Sequence, residues 1–431
     1  MQAFETRIKA WLPLGLGITG AVFCFVLASI RGLESTHYPD AVIFISQAEA
    51  ITQGWNYMLQ RPQLFNSPLG FSGLLSATFL LGGGSSLALF KVLLSICHGL
   101  SVFLVARIGI CMGLPRLFWV SAALLFSLDP FVLFAATDVQ VEGLVTLIIL
   151  FWAYLFLLPP EKPKISIIQA IGFPLSGFIA LTIRPNILIP FILLSILLFY
   201  IWFTRDQKWP LYATVISIFF CFFTLYEVLL AKLYGGFVFL STNGGLNALL
   251  ACRQQFLPQY LGLISVDENS RINREYFAYL ENLRSSIIGK QPEISFSQLD
   301  REFLTRAISS CTEDPFGSAF VLIVKSFAVW RPYTVIGAYG VEIALISLTL
   351  WLPLSIFALW YLSRRNLSVP NKILRNYFLI LSVGFTISLI PSATQIRHRV
   401  AFVEPFLWLF AAYFLAQKIR SRKILRDDQD V

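Results

Sequence analysis

Residues 166–203 read SIIQAIGFPLSGFIALTIRPNILIPFILLSILLFYIWF. Two apolar runs, 166–182 and 186–203, meet at Arg184 with almost no loop between them. Each run is about long enough for a helix to cross the apolar core of a bilayer. A helical hairpin is the expected form, because backbone polar groups in lipid must be satisfied within the chain. An arginine at its tip is out of place. Charge at membrane depth is rare and marks a substrate or ion path. The same anomaly recurs at Arg397-His398-Arg399, immediately before the last apolar run.

Working outward, comparable runs lie near 11–30, 87–107, 117–135, 140–158, 210–231, 338–362, 373–391 and 400–417. The chain is 57% hydrophobic and 13% charged, with 40 Phe among 431 residues. An all-α polytopic membrane protein of about ten spans is expected. The stretch 316–329 is a candidate eleventh, but it carries Lys325 and would invert the basic tail. An interfacial helix suits it better. The first run starts near the beginning of the sequence without a small-residue cleavage site, which suits an uncleaved anchor.

Orientation follows from Lys and Arg in the short loops. About half of the 33 basic residues fall on one side, including Arg107, Arg116, Arg364, Arg365 and the cluster from Lys418 to Arg426. Both termini are therefore expected in the cytoplasm. Arg184, Arg397 and Arg399 then face the opposite, outer side, against the charge bias. The net charge of +9 is mostly this collar, so nucleic acid is not implied.

Three regions are expected: a transmembrane module over 1–231, a mostly helical outer domain over 232–337, and further spans with a basic tail over 338–431. Within the first, the outer loop 32–86 holds two amphipathic helix-like stretches, Ala41–Gln53 and one ending near Leu81. Asp40 precedes the former, where it suits either an N-cap or a general base toward a bound hydroxyl. Asp138 and Glu142 share a tight turn, where acids at a helix start complement its dipole. For the arginines, one account is ion pairs with Asp138, Glu142 or Glu404. The other is a phosphate site, since a guanidinium fork matches phosphate oxygens bidentately, with His398 as a further donor.

In the 232–337 region, Asn243-Gly244-Gly245-Leu246-Asn247 marks a turn, Ser297 stands as an N-cap, and Cys252 and Cys311 are the only cysteine pair. An oxidising compartment would permit a disulfide between them. No zinc or nucleotide motif occurs.

Taken in order, Asp40, Pro68-x-Gly70-Phe71, Asp129-Pro130, Glu142, Thr182-x-Arg184-Pro185, Asn243–Asn247 and Arg397-His398-Arg399-x4-Glu404-Pro405 resemble the GT-C-fold glycosyltransferases. The likeness is to protein O-mannosyltransferases and lipid A aminoarabinose transferases. It covers most of the chain as a series of individually weak motifs. It implies a polyprenyl-phosphate sugar as donor and a lipid, glycan or protein acceptor. Asp40 matches the essential acid of the first outer loop, and transfer takes place on the outer face of a bacterial inner or plasma membrane. A second acid often follows the first in that family. Here Ala41 stands there, which leaves a divalent metal open.

The expected reaction is direct, inverting displacement. Asp40 takes the acceptor proton, Glu142 positions Asp40, an arginine or a metal, and Arg184, Arg397, Arg399 and His398 receive the lipid phosphate. Asp138, Asn243 and Asn247 are further substrate-contacting candidates. The rivals are a transporter or flippase of a lipid-linked sugar, and a polysaccharide polymerase or ligase.

Overall fold

The computed structural model describes residues 2–37, 40–61, 64–65, 67–158, 163–205, 209–238, 244–262, 264–291, 293–328, 330–331, 336–389 and 401–427. Among these there is helix and no strand. In chain order the helices are α1 (Gln2–Ile30), α2 (Ala41–Thr52), α3 (Trp55–Gln60), α4 (Leu69–Gly82), α5 (Ala88–Cys111), α6 (Arg116–Ser127), α7 (Pro130–Thr137), α8 (Glu142–Leu157) and α9 (Pro163–Ile183). They continue with α10 (Leu188–Arg205), α11 (Trp209–Tyr234), α12 (Gly244–Ala251), α13 (Leu257–Leu261), α14 (Val266–Lys290), α15 (Phe296–Glu313), α16 (Pro315–Ala328), α17 (Ile336–Ser363), α18 (Val369–Leu389) and α19 (Glu404–Asp427).

Six of these are long and apolar enough to cross a membrane: α1, α5, α10, α11, α17 and α18. A seventh arises if α6 and α7, bent by 52° at Asp129-Pro130, form one broken span. This fits an integral membrane protein but falls short of ten spans. The shortfall has local causes. The 16 residues of α8 reach about 24 Å at helical rise, less than the roughly 30 Å of a hydrocarbon core. In α19 the apolar run from Glu404 gives way to Lys418, Arg420 and Arg422.

The bundle is built around α5, which packs against α1, α4, α6, α7 and α8. The α1–α5 contact is backbone-close: a Cβ on Gly99 would run into the carbonyl oxygen of Gly17. Small residues permit such approaches where lipid supplies no hydrophobic drive between helices. Tyr377 of α18 donates to the Ile149 carbonyl of α8 at 2.8 Å, and the Trp152 indole of α8 donates to Ser176 of α9 at 2.8 Å. Large side chains on the far faces, among them Ile196 on α10, Phe220 on α11 and Leu359 on α17, stay more than half exposed. That is the pattern of helices whose outer face meets lipid.

The two stretches expected in the first loop are α2 and α4. Helix α2 ends at Thr52 with Gln53 as its cap, and Gly54 stands before the extra short helix α3 that Trp55 opens. These helices do not lie free. Ala41, Ala48, Phe71 and Leu75 are fully buried in the main core. Phe71 meets Phe44 of α2 and Phe90 of α5 edge to face, at 4.8 and 5.3 Å.

Helices α12–α16 form a separate layer with two small cores of their own, one around Phe256 and Tyr276 and one around Leu283 and Phe303. Cys252 and Cys311 are joined there by a disulfide. The cap of α15 is Ser295, paired with Gln298 in a capping box, two residues before the Ser297 expected from sequence. Glutamine at the third helical position reaches back to the cap N–H, which the Ser297 register does not offer. Helix α16 buries Ser318, Val321, Lys325 and Ala328 and turns Phe316, Phe320, Ile323 and Phe327 outward, at 88%, 56%, 56% and 70% exposed. Just beyond it, the Trp330 indole donates to Thr386 of α18 at 3.0 Å, tying the layer to the bundle.

Candidate functional site

Arg184 owes its position to the proline after it. A residue before proline is driven out of helical torsions, and Arg184 is extended at φ −149°, ψ 99° where α9 ends. Its N–H still closes on the Ala180 carbonyl at 2.7 Å. The side chain is buried, and its Nη1 donates to Glu142 Oε1 at 3.0 Å. Glu142 opens α8 and is itself buried, at the helix end whose dipole favours a negative charge. Of the partners expected for Arg184, Glu142 is the one it pairs with.

Asp40 completes the group from a third stretch. It occupies the N-cap position of α2, and its carbonyl accepts the N–H groups of Ile43 and Phe44. Its side chain makes no capping hydrogen bond. Burial holds its carboxyl above the ordinary carboxylate range, while the charge of Arg184 pulls the other way. Two carboxylates from α2 and α8 thus act on one guanidinium at the end of α9.

Gly70 explains part of this convergence. A Cβ there would collide with both the side chain and the backbone of Thr182, two residues before Arg184. The absence of a side chain lets the start of α4 close on the end of α9. Ser72, two residues further, donates to Gln47 of α2 at 2.7 Å, so α4 links the helix led by Asp40 to the helix that ends at Arg184.

Asp138 is placed beside residues 31–37, which lead to Asp40, with its oxygens in use. Oδ1 accepts the Val139 N–H at 2.8 Å and Oδ2 the His37 N–H at 2.9 Å, with Arg31 Nη2 at 3.7 Å. Arg31 also donates to Thr137 at 2.6 Å. Lys91, fully buried at the start of α5, donates to the carbonyls of Gly32 and Ser35 at 2.7 and 2.6 Å. Glu34 accepts the Leu87 N–H at 2.8 Å. Residues 31–37, the approach to Asp40, are therefore fastened at several points. Sequence reasoning overlooked Arg31, Glu34 and Lys91 as a set. The one available signal was a lysine in the first turn of an apolar run.

Asp129 is a helix cap as well as the bend between α6 and α7: Oδ1 accepts the N–H groups of Phe131 and Val132, and Oδ2 the Trp408 indole. Glu404 is buried at the start of α19. Asn247 lies half-buried on α12, which packs on α15. Arg397, His398, Arg399 and Asn243 lie outside the described residues. Among the described residues no three of His, Cys, Asp and Glu gather as a metal site.

As chemistry, the group offers a half-buried carboxylate whose charging is opposed by desolvation and favoured by Arg184, beside a buried guanidinium. Such a pairing serves proton transfer next to an anion. No family model, no curated protein and no solved structure matches the chain.

Proposed function

We propose that the chain is a membrane glycosyltransferase of GT-C type. It moves a sugar from a polyprenyl-phosphate donor to an acceptor hydroxyl on the extracytoplasmic face of a bacterial plasma membrane, with both termini cytoplasmic. In this reading the shorter helices α8, α9 and α19 and the bent α6–α7 pair complete ten spans, and α16 lies at the outer leaflet. The observation that carries it is Asp40: an aspartate at a helix cap whose side chain does not cap, half-buried and electrostatically coupled to Arg184 of the Arg184–Glu142 pair.

Asp40 accepts the proton of the acceptor hydroxyl as its oxygen attacks the anomeric carbon. The carbon–oxygen bond to phosphate breaks, and the lipid phosphate leaves with the electron pair. Arg184 stabilises the growing charge, joined by Arg397, Arg399 and His398. Donors aimed at developing charge in a dry site are each worth about 3–4 kcal/mol. Glu142 holds the guanidinium in place.

A second reading has one observation in its favour. The 52° break between α6 and α7 is the kind of discontinuous helix that transporters use at their binding sites. Purified protein in detergent, given a panel of radiolabelled polyprenyl-phosphate sugars, separates the two. Release of lipid phosphate that vanishes in Asp40→Asn supports transfer. Binding without release from any donor, with or without acceptor, supports transport.

A further inference from the structure

Each partner of the Arg184–Glu142 pair has an amide two residues away, and each amide is left wanting. Gln140 stands in the four-residue turn 138–141 before Glu142, where a glutamine would ordinarily reach water. Instead it is only 3% exposed. The turn is pinned by the Asp138 carboxylate on the Val139 N–H and by the Gln140 N–H on the Asp138 carbonyl at 2.9 Å. Its Nε2 is buried without a hydrogen-bond partner. On the other side, Asn186 follows Arg184-Pro185 in a single turn of 3₁₀ helix, and its Oδ1 is likewise buried and unpartnered. Buried polar groups are nearly always satisfied, and an exception calls for a cause.

We propose that Gln140 and Asn186 bind ring hydroxyls of the sugar carried by the lipid phosphate, and so select the donor. The proposal rests on the sugar-transfer reading above and adds specificity residues to it. The complementarity is chemical. Gln140 presents an unmet donor and Asn186 an unmet acceptor. A hydroxyl both donates and accepts, so a polyhydroxylated ring satisfies the two together. A fully ionised phosphate offers acceptors only and leaves Asn186 unmet, and an acyl chain satisfies neither. The phosphate then belongs to Arg184 and the ring to the amides two residues from each partner of the ion pair.

The test compares two probes on the full chain in detergent: bare polyprenyl phosphate, and a panel of polyprenyl-phosphate hexoses and pentoses. Gln140→Met and Asn186→Leu keep side-chain size while removing the amide. Each is expected to weaken binding of the preferred sugar-bearing lipid about tenfold or more, with affinity for bare polyprenyl phosphate unchanged and cooperative thermal unfolding retained. If both variants bind both probes as wild type does, or gain stability with no change in binding, the amides are simply unmet groups and the proposal fails. The transfer reading would survive that result. If wild type binds no sugar-bearing lipid better than the bare one, the transfer reading falls first and takes this proposal with it. Should a variant unfold, Asn186→Asp, which retains an acceptor oxygen, must keep sugar selectivity for the proposal to stand.

Discussion

Two aspartates stand at the starts of two helices in this molecule, and they differ in what their side chains do. Asp129, before α7, gives Oδ1 to the N–H groups of Phe131 and Val132 and Oδ2 to the Trp408 indole. Asp40, before α2, gives no side-chain oxygen to the helix it precedes. It is half-buried, where charging is opposed by desolvation and favoured by Arg184. A cap contributes about 1 kcal/mol where it is made, and α2 forms without it because Ala41, Ala48 and Phe44 pack into the core. Where helix formation rests on packing, the residue at the cap position need not spend its side chain on the cap.

The comparison breaks most sharply under amide substitution. Asp40→Asn is expected to reduce transfer by about 100- to 10,000-fold, the usual worth of a general base, with little change in thermal stability. Asp129→Asn is expected to leave turnover within a few-fold of wild type. Equal losses in the two variants, measured as lipid-phosphate release, would erase the distinction.

Removing the shared partner comes next. Arg184→Ala leaves Glu142 buried and uncompensated, at a cost of about 3–5 kcal/mol. Arg184→Ala with Glu142→Leu should recover much of that stability and none of the donor binding. Denaturation monitored beside lipid binding separates the two effects.

pH sharpens the contrast. A base must be ionised, and burial raises the Asp40 carboxyl, so transfer should rise with pH along an acid limb above the ordinary carboxylate range. Arg184 acts to lower it. Any residual activity of an Arg184→Met variant should therefore show its limb moved to higher pH.

Asp300 is the intermediate case and the smallest effect. It accepts the Gly245 N–H at 2.8 Å, as Asp129 accepts its neighbours, yet burial pushes it up to about 6. Its ordinary value is 3.8. Charging therefore costs the folded chain more than the unfolded one, and the stability it contributes is full below about pH 4 and lost above about pH 6. Asp300→Asn keeps the acceptor and should flatten that decline. A melting-temperature profile across this window checks it.

Much of this was legible in the sequence, for reasons that name its limits. Arg184 stood out because Pro185 and two apolar runs leave it nowhere ordinary to go. Glu142 was legible as an acid at a helix start, though not as the one partner chosen among three. The count of about ten spans goes beyond the six or seven helices long and apolar enough by themselves, because hydropathy reads composition, whereas α8 stops at Leu157 and α6 breaks before Pro130. The fastening of residues 31–37 was hidden. Lys91 bonds to the carbonyls of Gly32 and Ser35, and backbone carbonyls carry no letter in a sequence. Gln140 was passed over for a related reason: polar residues in turns are assumed to face water.

The Cys252–Cys311 bond, spanning a separation of 59 residues, makes α13 and α14 part of a covalent ring. Closing a ring of that size removes chain entropy from the unfolded state, about 4 kcal/mol in the loop-entropy view. It also changes what a cut means. A single protease nick within α14 would open the ring into two arms still joined through sulfur, so no fragment departs until a reductant is added. Nicked and intact chains would run together without thiol and part with it. The segment between the two cysteines is thus where the polypeptide can be severed while the molecule stays in one piece.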